Sequence, residues 1–344
     1  MGKKFDVVIG NPPYQEEAQG DGTRDTPVYH LFMDAAYEIA HKAVLITPAR
    51  FLFNAGFTPK AWNEKMLADR HLSVPNYVPN SNDLFPGTDI KGGIAVTYWD
   101  EGRDDEPIDT FTSYPELNGI LHKVNAAHDA SIAPEITSSR SFRYTDALYD
   151  QHPEARALRP EGNAALVNTN TFEQFSFLYH ADQPQDQNDY VRVLGLIKNR
   201  RLSRWIRKDY IAGPASYGKF KVVVTAANGS GTLGEVLSSP LVAEPWVAVT
   251  QTFITIGAFE EEAHALACLK YVKTKFARVM LGILKITQHN PAKVWKHVPL
   301  QDFTVDSDIN WSTSISEIDQ QLYGKYGFDD TEIDFIEARV KPMN

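Results

Sequence analysis

The sequence predicts an α/β fold for the first hundred residues and an α+β fold for the second half of the chain. In residues 5–99, short apolar runs alternate with segments whose apolar residues recur at helical spacing. In residues 190–300, β-like runs occur together with a longer helical segment. Because strands that are connected through helices usually run parallel, we expect a mostly parallel N-terminal sheet covered by helices.

The elements of the N-terminal region follow one another in a regular order. The run Phe5–Gly10 is a short strand that ends in glycine, and Tyr29–Ala40 has the spacing of an amphipathic helix. Ala43–Thr47 is a buried strand closed by Pro48, and a short helix with proline at its start follows it. That helix and the last two strands are predicted over Pro59–Leu67, Val74–Val78 and Ile94–Trp99.

Composition divides the chain into four regions. The N-terminal domain is predicted to span residues 1–110, and residues 111–187, which are polar and weakly periodic, a connecting region. Residues 188–304 form a basic domain, with β-like runs at Val222–Ala226 and Val247–Ile256 and a helix over Glu261–Leu284. Residues 305–344 are predicted to be an acidic helical tail, with the helical stretch at Ile315–Lys341.

The overall composition is that of a globular protein with a large core. The chain has 344 residues, of which 43% are hydrophobic, and this length suggests two domains. No apolar run approaches the roughly 20 residues of a membrane span, and we expect a cytoplasmic protein with no membrane contact. The single cysteine, Cys268, excludes a disulfide framework, and the ten histidines lack metal-ligand spacing, so no metal is expected.

The charge of the chain is unevenly distributed. The net charge is −10, but residues 188–300 contain 16 basic and 7 acidic residues, a net charge of +9. The rest of the chain contains 18 basic and 37 acidic residues, a net charge of −19. This segregation indicates a basic surface in one region, which is typical of nucleic-acid binding but also of a solvated basic face.

The sequence Asn11-Pro12-Pro13-Tyr14 directly follows the first predicted strand. Loops at the carboxyl ends of strands in open α/β sheets are the places where ligands bind. The two prolines restrict the loop because each locks φ and lacks an N–H. The Asn11 amide and the Pro12 carbonyl can accept hydrogen bonds, and Tyr14 offers an aromatic face. Pro-rich turns also follow strands without any function, so the context must support the motif.

Residues 5–99 resemble the motif IV to motif VIII region of gamma-class N6-adenine DNA methyltransferases of type II restriction–modification systems. FDVVIGNPPY is similar to motif IV and its strand, and PVYHLFMDAAYEIA and KAVLITPARFL to the next helix and strand. NSNDLFPGTDIKGGIAVTYW resembles the motif VII–VIII region. The resemblance implies a partial Rossmann-like class I methyltransferase sheet without its N-terminal strands, followed by an α+β target-recognition domain.

The resemblance also implies catalytic roles for Asn11, Pro12, Pro13 and Tyr14. Adenine N6 is a poor nucleophile because its lone pair is delocalised into the ring, and the base must be flipped out of the duplex. Hydrogen bonds from the amino group to Asn11 and to the Pro12 carbonyl would make this nitrogen more reactive. Tyr14 and Phe85 would stack on the flipped adenine, although Phe85 is equally consistent with a core residue.

Parts of the C-terminal half, such as KFKVVVTAANGSGTLGE and TQTFITIGAF, resemble the target-recognition domain of these enzymes. Two basic clusters there suit phosphate contacts with double-stranded DNA. The first cluster contains Lys198, Arg200, Arg201, Arg204, Arg207 and Lys208. The second, on one predicted helix, contains Lys270, Lys273, Lys275, Arg278 and Lys285.

The family binds S-adenosylmethionine through a glycine-rich loop that precedes the NPPY motif, and we expect this donor site to be missing from the chain. A permuted alternative places the donor loop at Gly229–Gly234, which matches G-x-G-x-x-G. The following sequence, EVLSSPLVAEP, is interrupted by prolines where a donor loop should open a helix. We therefore interpret this segment as a turn in the recognition domain.

The sequence thus predicts a site-specific DNA adenine-N6 methyltransferase component, inactive in isolation, that uses S-adenosylmethionine bound by a missing half or by a partner. A donor-binding or restriction subunit is the expected protein partner, and duplex DNA the substrate. Two alternatives remain: a non-catalytic DNA-binding specificity subunit, and a methyltransferase acting on a glutamine side-chain amide, which would also use NPPY. The basic C-terminal domain favours DNA over a small protein substrate.

Overall fold

The computed structural model describes residues 3–16, 26–55, 57–90, 92–158, 162–285 and 287–343. It is a mixed α/β structure with several sheets. The chain divides into two compact units, residues 1–119 and 120–344, so the first boundary lies close to the end of the expected N-terminal domain. No helix among these residues is long and apolar enough to cross a membrane.

The described residues of the first unit form six strands and, up to its boundary, three α-helices. The strands are β1 (Phe5–Gly10), β2 (Gln15–Glu16), β3 (Thr26–Pro27), β4 (Ala40–Pro48), β5 (Leu72–Val78) and β6 (Ile94–Asp100). The helices are α1 (Tyr29–Ile39), α2 (Lys60–Ala68) and α3 (Pro115–Ala126), which crosses the boundary, and short 3-10 helices lie at Ala49–Phe53 and Ser81–Asp83. Every strand and helix that the periodicity predicts in this region is present, with ends shifted by a few residues.

The main sheet of the first unit has the strand order β1-β4-β6-β5. β1 pairs in parallel with β4, with Gly10 opposite Leu45, but β6 runs antiparallel to both β4 and β5. The expectation of a mostly parallel sheet is therefore wrong for these four strands. The reason is that no α-helix connects β5 to β6, so the chain returns in the opposite direction and β6 inserts between β4 and β5.

The two faces of this sheet differ in their packing. Helices α1 and α2 bury one face through Met33, Tyr37 and Met66, which pack against Leu45 and Trp99 of the sheet. Alternate residues of β1 point to the other face. Three of them, all apolar, are exposed, at 52% for Phe5, 46% for Val7 and 78% for Ile9. β1 is therefore an edge strand with an uncovered apolar stripe, which we call the β1 stripe.

The second unit contains nine strands and the remaining helices. The strands are β7 (Ile136–Thr137), β8 (Arg143–Tyr144), β9 (Tyr190–Ile197), β10 (Arg200–Arg207), β11 (Ile211–Ala212), β12 (Phe220–Thr225), β13 (Leu241–Ala243), β14 (Val247–Val249) and β15 (Phe253–Phe259). The α-helices are α4 (Asp146–Gln151), α5 (Glu154–Ala157), α6 (Thr171–Gln174), α7 (Glu262–Lys273), α8 (Lys275–Gly282), α9 (Ile315–Lys325) and α10 (Asp330–Arg339). Short 3-10 helices lie at Ala133–Glu135, Lys208–Tyr210, Ala215–Gly218 and Ala292–Trp295.

The strands of the second unit form three sheets. Their orders are β13-β12-β15-β7, β10-β9-β14 and β11-β8. Residues 111–187, expected as a connecting region, contribute β7 and β8 to these sheets and bury Phe142, Tyr144 and Phe175 in the core with Val193 and Ile206. From residue 120 onwards this segment is thus part of the second unit, because its scattered aromatic residues supply core volume that periodicity does not reveal.

Three predicted elements are interrupted in the structure. The helix over Glu261–Leu284 is two helices, α7 and α8, because the Thr274 side chain accepts a hydrogen bond of 3.0 Å from the N–H of Ala277 and starts a new helix. The tail is likewise two helices, each begun by a capping box, at Ser314 and Asp329. The predicted run Val247–Ile256 is divided between β14 and β15, which belong to different sheets.

Candidate functional site

The Asn11–Tyr14 loop lies at the carboxyl end of β1, where the sequence predicts it. β1 ends at Gly10, whose neighbour on β4 is Leu45, so the loop projects beyond the parallel β1–β4 pair. The carbonyl of Tyr14 accepts a hydrogen bond of 3.1 Å from the N–H of Val28, which ties the end of the loop to the start of α1. The small β2–β3 hairpin follows directly. The loop is thus held at both ends.

A cleft of about 540 Å³ opens at this loop. This volume is within the usual range for small-molecule sites. The strand ends supply the motif and Pro48, and neighbouring segments supply the rest of the wall. The lining residues are Asn11, Pro12, Pro13, Tyr14, Gln15, Pro27, Tyr29, Pro48, Arg50, Phe57 and Ile90. The cleft therefore combines two side-chain amides, an arginine and three aromatic rings, including those of the motif itself.

The polar groups of the cleft act on one another. Burial raises the pKa of Tyr14, and the neighbouring Asn11 side chain partly opposes this change. The two side chains of the motif are therefore close together. Burial also raises the pKa of Tyr29 to about 12, which the Thr58 hydroxyl and the positive charge of Arg50 partly offset. Both phenols remain neutral at physiological pH and can act as hydrogen-bond donors or stacking faces.

The structure does not place Phe85 in the lining of this cleft. Phe85 is half-buried in the loop after β5, where its N–H donates to the Ser81 carbonyl at 2.8 Å and its carbonyl accepts from the Thr88 hydroxyl at 2.7 Å. Ile90 of the same segment and Phe57, which is 64% exposed, are the residues that reach the cleft. The sequence analysis did not identify Phe57 as a candidate. The feature that could have indicated it is a large aromatic residue in a loop that contains glycine.

The Gly229–Gly234 segment does not have the structure of a donor loop. No helix follows it within residues 232–240. The N–H groups of Ser230 and Gly231 donate to the Glu235 carboxylate of the same segment at 2.8 and 3.2 Å, so they are already paired and not directed at a ligand. Lys285 pairs with the same carboxylate. The interpretation of this segment as a turn agrees with this geometry, and the permuted alternative does not.

The first basic cluster lies on and near the β9–β10 hairpin. Lys198 and Arg200 are exposed at its turn, whereas Arg204 is half-buried further along β10. Arg201 donates to the carbonyls of Ser239 and Ser238 at 2.6 and 3.1 Å, and burial lowers its pKa. The Nζ of Lys208 lies 3.7 Å from the centroid of the Trp246 ring. The cluster is thus gathered on and near one hairpin, but Arg201 and Lys208 interact with other residues of the protein.

Two residues of the second basic cluster are buried, which corrects their assignment as DNA contacts. Arg278 and Lys285 are each 2% exposed. The Arg278 guanidinium donates to the carbonyls of Gly234 and Lys341 at 3.2 and 2.6 Å, and burial lowers its pKa to about 10. Both cations have exchanged water for partners within the fold, so neither is accessible to a phosphate.

The other lysines of this cluster are also engaged with the fold. Lys270 donates to the carbonyls of Trp311 and Thr313 at 2.7 and 2.9 Å, and Lys275 forms an ion pair with Glu337. Lys273 lines a groove of about 1220 Å³ between α7 and the segment before α9. The cluster does not lie on one helix, since Thr274 separates α7 from α8 and Lys285 follows the end of α8. The positive charges of this cluster are therefore spread over α7, α8 and the residues after α8.

Comparison with known proteins gives one family match and one match to a relative, each over part of the chain. Residues 1–85 match the Eco57I restriction-modification methylase family. A protein of Mycoplasma pneumoniae described as an uncharacterized adenine-specific methylase is 32% identical over 99 residues, which cover 28% of this chain and 24% of the relative. The chain therefore corresponds to about a quarter of the length of this relative.

Two solved structures show distant overall likeness. The type IIG restriction endonuclease BpuSI is 10% identical, with a TM-score of 0.30 over 92% of this chain and 48% of its own. The type IIL restriction-modification enzyme MmeI, solved in complex with DNA, is 8% identical, with a TM-score of 0.29 over 97% of this chain and 56% of its own. Likeness at this level does not define the fold of either unit. The family match covers the NPPY region and agrees with the resemblance seen in the sequence: residues 1–85 are similar to restriction-modification methylases.

Proposed function

We propose that this chain provides the target-base pocket and the DNA-recognition region of a site-specific DNA adenine-N6 methyltransferase. The observation that carries the proposal is the cleft at the end of β1, which is lined by all four residues of the Asn11–Tyr14 motif. Its opening lies at the carboxyl end of a parallel strand pair, the usual ligand position in α/β sheets. The methyl donor of the complete enzyme is S-adenosylmethionine.

The motif acts on the amino group of a flipped adenine. The side-chain oxygen of Asn11 and the carbonyl of Pro12 accept hydrogen bonds from the two amino protons, which makes the N6 lone pair less delocalised and more nucleophilic. Pro13 restricts the loop, and Tyr14 stacks on the base. Phe57 is a better candidate than Phe85 for a second stacking face because it reaches the cleft. Arg50, also in the lining, suits the phosphate of the flipped nucleotide.

The donor is bound by further polypeptide, either in the same protein or in a partner subunit. Within the described ranges, no glycine-rich loop opens a helix, so these residues do not fit the donor. The uncovered β1 stripe supports the same conclusion, since β1 pairs with a neighbour on one side only. A strand paired to the free edge of β1, with an apolar layer over Phe5, Val7 and Ile9, would complete the sheet.

The second unit supplies the DNA-binding surface in this proposal. Its basic segment, residues 188–300, has a net charge of +9, although Lys221, Arg278 and Lys285 of that segment are buried. The exposed remainder includes Lys198 and Arg200 of the β9–β10 hairpin. A non-catalytic specificity subunit is the second candidate, favoured because no glycine-rich loop among the described residues opens a helix. A restriction subunit would be a further partner in either case.

Methyl transfer to duplex DNA, measured with labelled donor, tests the proposal. We expect transfer only when the donor-binding polypeptide is added, and we expect Asn11→Ala to abolish it while DNA affinity stays within a small factor. Asn163→Ala, at an exposed asparagine of the second unit, is the matched control and should retain full activity. Wild-type turnover by Asn11→Ala would refute the catalytic assignment. Specific DNA binding without any transfer would favour the specificity subunit, and methylation of a protein glutamine the amide methyltransferase.

A further inference from the structure

The β9–β10 hairpin ends in a two-residue turn of unusual composition. Lys198 and Asn199 both have positive φ, at 48° and 60°, and the flanking residues Ile197 and Arg200 are paired. This is the geometry of the hairpin turns whose twist matches the strands. Asparagine adopts the left-handed region readily, but lysine does so rarely. Conformational preference therefore explains Asn199 and leaves Lys198 unexplained.

The side chains at this tip do not serve the fold. Lys198, Asn199 and Arg200 are all exposed, and within the described part of the chain their side chains form no hydrogen bond or ion pair. We call these three residues the hairpin tip. The arginines further along β10 behave differently: Arg201 binds the carbonyls of Ser238 and Ser239, and Arg207 binds the Asp209 carboxylate. The side-chain donors of this hairpin that have no partner are thus concentrated at the hairpin tip.

The base of the hairpin is anchored firmly. Strands β9 and β10 are paired continuously from the tip to Arg207 opposite Tyr190. Val191, Val193 and Ile206 are buried in the core of the second unit, and β14 pairs with β9 on its other side. An exposed polar tip on a rigid two-stranded arm is suited to enter another molecule without rearrangement.

We propose that the hairpin tip enters the major groove of duplex DNA and reads base edges, an inference that rests on the proposed function. A two-stranded β-ribbon fits this groove. An asparagine side chain can form two hydrogen bonds with adenine, and an arginine can form two with guanine. Asn199 and Arg200 therefore determine part of the recognition sequence, and Lys198 contacts a phosphate of the same groove.

Selection of bound sequences from random duplex DNA by the full chain tests this proposal. Asn199→Gly keeps the positive-φ turn, since glycine adopts it freely, but removes the amide. Asn199→Asp also keeps the turn and replaces the donor by an acceptor that suits the cytosine amino group. Arg200→Gln removes the guanine contact. Lys293→Gln, at an exposed lysine of the same unit outside the hairpin, is the control that matches the loss of one charge.

At one position of the site, the wild type should prefer one base pair over the others. We expect Asn199→Gly to reduce this preference by about 5- to 150-fold, which is the range for one bidentate contact. The other positions of the site should be retained, and Asn199→Asp should prefer a different base at that position. Lys293→Gln should keep the wild-type preference. Unchanged preferences in all three tip variants, or an equal loss for every sequence, would overturn the proposal while leaving DNA binding intact. Absence of any DNA binding by the wild-type chain would instead refute the proposed function, and this inference with it.

Discussion

Asp319 links α9 to the start of α8, and its charge should make the stability of the protein depend on pH. This α9 residue is buried, and its carboxylate accepts hydrogen bonds from the N–H groups of Lys275 and Phe276 at 3.0 and 2.9 Å, at the start of α8. Burial is the largest cause that raises the pKa of Asp319, to about 6, and nearby Glu337 adds to this effect. The two backbone hydrogen bonds and Arg278 act in the opposite direction.

The contribution of Asp319 to the free energy of unfolding follows from the difference between its pKa values in the folded and unfolded states. An ordinary value of 3.8 and a folded value of about 6 correspond to about 3 kcal/mol of unfolding free energy. The folded state holds the proton more tightly, so this contribution is fully present below pH 3.8 and is lost as the pH rises through 6. The neighbouring Tyr323 has a pKa raised far above this window, so its phenol does not titrate within it.

Comparison with Asp319→Asn isolates this group, because the other titrations are shared and cancel in the difference. The unfolding free energy should be measured with urea between pH 4.5 and 7.5 for both proteins. We expect the unfolding free energy of the wild type, relative to Asp319→Asn, to decrease by about 2 kcal/mol across this range, because part of the effect lies below pH 4.5. Asp308→Asn, at an exposed carboxylate of the same unit, is the control. A difference between wild type and Asp319→Asn that does not vary with pH would refute the reasoning.

Three further predictions concern ligand binding. The DNA affinity of the full chain should fall steeply as the salt concentration increases, because phosphate contacts release counterions. Titrations by fluorescence anisotropy at several salt concentrations measure this dependence. An affinity that does not change with salt would count against DNA as the ligand. The chain alone should bind S-adenosylmethionine weakly or not at all in calorimetry, since no fitting donor loop is described; micromolar affinity would contradict this. Fluorescence of 2-aminopurine at the target position should change when Tyr14 and Phe57 are both replaced by alanine, because each stacking face contributes about 1–3 kcal/mol. Phe85→Ala should have little effect on this fluorescence. A large effect of Phe85→Ala together with a small effect of the Tyr14 and Phe57 replacements would indicate Phe85 as the stacking residue.

The local elements of the first unit could be predicted from the sequence, but their arrangement could not. The strand Phe5–Gly10 and the helix that begins at Tyr29 are local patterns, and the position of the NPPY loop follows from them. The antiparallel insertion of β6 depends on which strands pair over a long separation, and periodicity carries no such information. The exposure of Phe57 and the absence of Phe85 from the cleft also depend on tertiary packing.

The basic residues of the second unit show the same limit. Composition identifies the positive segment, yet the sequence does not reveal that Arg278 binds carbonyls of Gly234 and Lys341, which are far away in the chain. The break between α7 and α8 did have a local signal, since Thr274 precedes a helix-compatible run and can cap it. The net charge of a segment therefore does not predict which of its basic side chains are exposed.

The β1 stripe has a practical consequence for producing the protein. An open strand edge beside exposed Phe5, Val7 and Ile9 is a template for pairing with a second copy of the same chain. Chains purified without the polypeptide that covers this edge should therefore form soluble clusters or precipitate as their concentration rises. Co-expression with the covering polypeptide would be expected to raise the yield, and a lysine in place of Val7 would be the simplest way to keep the separate chain dispersed.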